Sequence, residues 1–273
     1  MRKFRLTLAY DGSGLVGWQR QASGTSVQAL LEDVLAVLDG RPVAVEGAGR
    51  TDAGVHALGQ VASFSLARDI DPSTLVRALN FHLPNSVRAV DVVPVDEAFH
   101  ARFSARGKHY RYHIWNGGAV PPMLKRYVWH VPLPALDGSA MNEAARLLEG
   151  DHDFAAFQSV GTDVPTTRRV IAASTVRTIA SPEAGLIAGL EATAGALVAY
   201  DVNGDGFLRH MVRSIVGTLV EIGQGRRPPE WMRAVLESGD RAQAGRTAPA
   251  EGLFLVAVSY EPPAGTLTDR MVQ

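Results

Sequence analysis

The chain has 273 residues, 46% of them hydrophobic and 20% charged, the balance of a folded globular protein with material for one large domain or two ordinary ones. That balance excludes disordered, collagen-like and coiled-coil chains, and no apolar run reaches the ~20 residues of a membrane span, since the longest, Ala184 to Tyr200, is broken by Glu191 and three glycines. Cysteine is absent, which removes disulfides, thiolate metal sites and a thiol nucleophile, and 27 Lys and Arg against 28 Asp and Glu leave a net charge of −1 that points to no particular partner.

Phe4 to Tyr10 alternates like a strand and lacks the solid apolar block of a signal peptide, so a cytoplasmic protein is expected. Val27, Leu30, Leu31, Val34, Leu35 and Leu38 fall on one face of a helix, with Thr25 and Gln28 as a capping box and Gly40 as the stop. A short strand near Pro42 to Glu46 and another from Gln60 to Leu66 come next. Asp71-Pro72 opens a helix to about Phe81, and strands at Ser86 to Val95 and His109 to Trp115 complete a first α+β unit. Gly117-Gly118 and Pro121-Pro122 mark a boundary, dividing the chain into residues 1–116 and 117–273.

The second part repeats the grammar with different letters. A helix from Ser139 to Glu149 stops at Gly150, and strands are expected at Val170 to Thr178, Leu186 to Ala192 and Leu197 to Val202. A helix over Phe207 to about Ile222 turns Met211, Ile215, Val216 and Leu219 inward and carries Arg209, His210 and Arg213 on its other side. Pro228-Pro229 starts a short helix, and Leu253 to Tyr260 is apolar on both faces, as in a central strand. The mixed order of helices and strands predicts α+β architecture with largely antiparallel sheet.

Three segments bear on chemistry. Gly12-Ser13-Gly14-Leu15-Val16-Gly17 has the spacing of a dinucleotide fingerprint, but Trp18 to Gln21 follow where a helix amino terminus must meet the pyrophosphate, so no nucleotide cofactor is expected. Gly47 to Ala57, GAGRTDAGVHA, sets one guanidinium and one carboxylate in a glycine-rich frame. Arg50 and Asp52 form a loop ion pair on one reading; on the other, Asp52 is a nucleophile or general base kept ionised by a neighbouring Arg. From Ala98 through Leu136 there is no acidic residue, while Arg102, Arg106, Lys108, Arg111, Lys125 and Arg126 alternate with seven aromatic rings and four of the eight histidines. Such a segment is either the inside of a strand pair or a basic, aromatic groove for looped RNA. No histidine spacing suggests a metal site, and none is expected.

GAGRTDAGVHA, with YDGSGLVGWQRQ before it, FHARFSARGKHYRY after it, and GFLRHMVRSIVG and PAEGLFLVAVSY near the end, closely resembles the TruA-type tRNA pseudouridine synthases from about Arg5 to Tyr260. The resemblance implies a cytoplasmic homodimer without cofactor, whose two similar α/β-sandwich-like halves flank a basic RNA-binding cleft. It implies isomerisation of uridine at positions 38 to 40 of the tRNA anticodon stem-loop, with Asp52 as nucleophile and the base flipped out. By the same resemblance Tyr110 lies against the base, Arg213 pairs with Asp52, Arg50 interacts with the RNA as the uridine leaves its stack, and Leu253 forms an apolar wall. Arg102, Arg106, Lys108, Arg111, Arg209 and His210 are the expected RNA contacts. The chain departs from the family pattern at Gly14 to Val16, where aromatic residues are common, and at Asp205, where Asn is common.

Overall fold

Alternation along β1 (Arg2–Tyr10) buries Phe4, Leu6, Leu8 and Tyr10 on one face. The computed structural model describes residues 1–159, 161, 164–179 and 195–261. α1 (Val27–Asp39) buries Val27, Leu31 and Leu35; it is closed by Gly40 at φ 77° and opened by Ser26, whose side chain accepts from the Ala29 N–H. The expected capping box is thus displaced. Gln28 accepts from the Arg20 N–H and donates to the Val45 carbonyl, both at 3.0 Å, tying the helix to its flanking loops. Only Glu46–Gly47 (β2) forms a ladder where a strand over Pro42 to Glu46 is expected; Val43 and Val45 are buried in the core without one.

β3 (His56–Leu66) begins four residues before its predicted start and pairs antiparallel with β1. α2 (Pro72–His82) is capped by Asp71 through the Thr74 N–H, and β4 (Val87–Val95) returns antiparallel to the other side of β1. β5 (Gly107–Gly117) and the short parallel β6 (Trp129–Val131) follow. α3 (Gly138–Arg146) starts one residue earlier than expected, capped by Asp137, which accepts from the Ser139 and Ala140 N–H groups, and ends three residues earlier, where the Leu147, Leu148 and Glu149 N–H groups turn to carbonyls three residues back. β7 (Gly150–Asp153), β8 (Arg168–Ile179) and β9 (Gly195–Gly204) form antiparallel pairs. The strand expected at Leu186 to Ala192 lies outside the described residues. α4 spans Met211–Gly223 rather than starting at Phe207, since His210 takes φ 62° and stops helical geometry from extending backwards. α5 (Trp231–Ser238) and β10 (Leu253–Ser259) complete the fold.

The strands form one sheet in the order β4-β1-β3-β10-β5-β9-β8-β7, with β2 beside β3 and β6 beside β5. All the pairings on this path are antiparallel except β10 with β3, where Phe254 faces His56 and Leu255 faces Ala57. The α+β architecture with mostly antiparallel sheet is the expected one; in addition, strands of both halves share a sheet. β10 is buried on both faces only at Leu253, Phe254 and Leu255, and its remaining residues are partly exposed. One apolar core joins the helices to the sheet face carrying Phe4, Leu6, Tyr110, Tyr112 and Leu255. No helix among the described residues is long and apolar enough to cross a membrane.

Candidate active site

The insertion of β10 between β3 and β5 brings three distant segments together: the loop before β3, the middle of β5 and the start of β10. The loop, Gly47 to Gly54, is held from beneath. Thr51 is buried, its Oγ1 is 2.8 Å from the Tyr10 hydroxyl, and the Gln60 side chain donates to the Gly49 carbonyl at 3.0 Å. The first glycine-rich segment braces it from the side: the Trp18 N–H donates to the Thr51 carbonyl, and the Gly54 N–H donates to the Leu15 carbonyl. Contact is so close that a Cβ at Gly12 would lie 2.2 Å from the Val55 oxygen, and one at Gly17, already at φ 101°, 2.6 Å from the Thr51 oxygen. The spacing that imitates a dinucleotide fingerprint is thus a packing device for the Asp52 loop.

On this frame Asp52 remains about one-third exposed. Arg213 Nη1 lies 3.1 Å from its Oδ2 and His210 Nε2 lies 3.3 Å from the same oxygen. Oδ1 has no hydrogen-bond donor among the described residues. Arg213 is itself fixed, donating from Nε to the Ala248 carbonyl at 2.7 Å. Arg50 is exposed and makes no ion pair among the described residues, so the Arg50–Asp52 loop pair does not form and the countercharge is Arg213.

Tyr110 is buried, edge-on to Phe207 with ring centres 5.0 Å apart, and its hydroxyl makes no hydrogen bond among the described residues. Burial, then the nearby Tyr10 and Asp52, push its pKa up, so it remains a phenol. Leu253 is buried at the start of β10 opposite Tyr112, whose hydroxyl donates to the Pro249 carbonyl at 2.8 Å.

Lys108 is two residues from Tyr110 and on the same face of β5; its Nζ lies 3.0 Å from where a Cβ of Gly49 would stand. Burial lowers its pKa, as do Arg102 and Arg169, against the pull of Asp205. Asp205 is also tied to the chain, accepting from the Val170 N–H at 3.0 Å. Arg209 lies near enough to His210 to act on its titration, and Arg106 is exposed. Arg111 is different: strand alternation turns it to the opposite face, where its Nε meets Asp201 at 2.8 Å beside His109. Among the described residues no group of three or more His, Asp or Glu could hold a metal ion.

Sequence reasoning missed the contact of His210 with Asp52 and the Tyr10–Thr51–Gln60 support. The first had a signal, since His210 and Arg213 are three residues apart and share a helical side; the second had none, because it depends on how β1 and β3 align.

A carboxylate held by Arg213 and one-third exposed beside a buried tyrosine, with Arg50 and Lys108 nearby and making no ion pair among the described residues, is an arrangement suited to an anionic substrate. The chain matches the tRNA pseudouridine synthase family over residues 7–104 and 144–261. It is 45% identical over 262 residues to "tRNA pseudouridine synthase A" of Syntrophotalea carbinolica, covering 96% of this chain and 98% of the relative. The proteins of the same name from Myxococcus xanthus and Methylacidiphilum infernorum are 45% and 44% identical, covering 97% and 95% of this chain and 96% of each relative. The chain belongs to the tRNA pseudouridine synthase family, a family of isomerases.

Proposed function

We propose that this protein converts uridine to pseudouridine at positions 38, 39 and 40 of the tRNA anticodon stem-loop, with Asp52 as nucleophile. The observation that carries it is the asymmetry of Asp52: the Arg213 hydrogen bond and the His210 ring both meet Oδ2, at 3.1 and 3.3 Å, which leaves Oδ1 to attack. The reaction breaks the bond from ring nitrogen 1 to the ribose and forms one from ring carbon 5 to the same ribose carbon. Carbon 5 loses a proton and nitrogen 1 gains one, so atoms and electrons balance without a cofactor. A carboxylate serves by adding to the ribose carbon or to the base, or by capturing the sugar fragment.

The uridine must leave its stack, at about a few kcal/mol, and be held in the site. Tyr110 lies against the flipped base and Leu253 walls the pocket. Arg50, exposed and without an ion pair among the described residues, is suited to the gap the uridine leaves. Lys108, Arg102, Arg106 and Arg209 contact phosphates, whereas the ring nitrogens of His210 face Asp52 and Ser159. Resemblance to the family supports a homodimer working in the cytoplasm, built from halves 1–116 and 117–273 around a basic cleft. Mapping pseudouridine nucleotide by nucleotide in unmodified tRNA is the test. The parent should modify positions 38 to 40, and Asp52→Asn should bind tRNA and modify nothing; binding by the parent without base change would reduce it to an RNA-binding module.

A further inference from the structure

His210 is the only non-glycine residue with positive φ among the described residues. A left-handed backbone is strained for a side chain of this size, and such strain persists where surrounding structure enforces it. Here it turns the imidazole from the start of α4 back onto Asp52. Nε2 lies 3.3 Å from Asp52 Oδ2, and Nδ1 lies 2.8 Å from the Ser159 hydroxyl. The Ser159 oxygen is also 3.4 Å from the Arg209 carbonyl.

This arrangement suits both protonation states of the ring. With the ring neutral, the Ser159 hydroxyl donates to Nδ1 and Nε2 carries the ring's N–H, 3.3 Å from Asp52 Oδ2. With the ring charged, the Nδ1–H donates to Ser159, whose hydroxyl turns to the Arg209 carbonyl. The difference falls on Asp52, which carries one full countercharge in the first state and two in the second.

We propose that His210 is a positioning residue that, as a neutral imidazole, works with Arg213 to hold Asp52 so that Oδ1 faces the substrate, and that its protonation switches the reaction off while leaving tRNA binding intact. The role rests on Asp52 being the nucleophile. A second cation on the carboxylate withdraws charge from both oxygens and weakens the attack, whereas added positive charge in the cleft favours the phosphates. Four charged groups act on the ring. Burial lowers its pKa below the ordinary histidine value, Asp52 opposes that, and Arg213, Arg209 and Arg241 reinforce it, so the neutral form prevails at pH 7.

Two measurements test this. The first is an NMR titration of the His210 ring in the tRNA-free protein, which needs no activity: in Asp52→Asn the pKa must fall, because the carboxylate that raises it is gone. An unchanged titration would overturn the contact whatever the enzyme's substrate. The second is kcat against pH for the parent, His210→Gln and His210→Asn. The parent should lose kcat as pH falls through the His210 pKa, with KM for tRNA not rising. Gln carries an N–H near the Nε2 position but cannot be charged; Asn tolerates the left-handed backbone but falls short of Asp52. Both should lack the acid limb attributed to His210, and Asn should lose more kcat at neutral pH, between about 10- and 100-fold, from a misplaced carboxylate. The same limb in either folded variant, or parent kcat in His210→Asn, would overturn the proposal.

Discussion

Tyr110 places a phenol beside Asp52, with no hydrogen-bond partner for its hydroxyl among the described residues. The hydroxyl is not among the fully buried unbonded polar atoms, so it reaches solvent and can exchange water for a ligand. Tyr110→Phe should therefore fold at least as stably as the parent and bind tRNA with similar affinity, yet lose about 100-fold in turnover, the usual scale for one hydrogen bond made in a transition state. Unchanged turnover in that variant would mean that the ring alone acts, by stacking. At this scale the sequence was only half legible. Asp52 stood out because one carboxylate lay in a glycine-rich frame, but spacing did not single out its partner, which the family resemblance alone named: Arg50 is two residues away and does not pair with it, and Arg213 is 161 residues away and does. Spacing along a chain says nothing about an ion pair made by tertiary folding.

Among the elements, amphipathic spacing identified α1 and α2 closely, since their buried leucines recur at the helical period. Their ends were harder. Thr25 and Ser26 are both good caps, and the structure uses Ser26; Phe207 to His210 continue the apolar period of α4, and a left-handed residue cuts them off. The segment from Gly12 to Gly17 has the spacing of a dinucleotide fingerprint, but its packing role depends on the Asp52 loop lying against it, which no local pattern encodes. Gly12→Ala forces a methyl group onto the Val55 carbonyl and should destabilise the protein by about 1–3 kcal/mol, with a loss of turnover as the loop shifts. Gly14→Ala is the control: nothing lies within 4 Å of its Cβ, so only the φ of 79° is penalised, about 1 kcal/mol, with turnover little changed. Thermal melts and single-turnover rates of the two variants separate the effects. Equal losses would remove the bracing role.

Across the whole molecule, the α+β class was legible from the alternation of patterns, but the joining of both halves in one sheet was not. Strand order depends on contacts between β10 and strands laid down nearly 150 to 200 residues earlier, which no local pattern encodes. That joining makes the site, because it sets Leu253 and Tyr110 beside the loop before β3. It also sorts the basic segment. Lys108 and Arg111 are three residues apart on one strand, yet Lys108 faces the Asp52 loop and Arg111 faces Asp201 on the other side of the sheet. Lys108→Ala and Arg106→Ala should each weaken tRNA binding and reduce its dependence on salt by about one released counterion. Binding measured at several salt concentrations decides this, and an unchanged slope would turn those cations away from the RNA.

The most direct measurement uses unmodified tRNA carrying tritium at uridine carbon 5, with released tritium counted for the parent and for Asp52→Asn at equal bound tRNA. Release by the parent and none by the variant is the predicted result. Release by Asp52→Asn at the parent rate would contradict Asp52 as nucleophile, and tight binding by the parent without release would contradict uridine isomerisation itself.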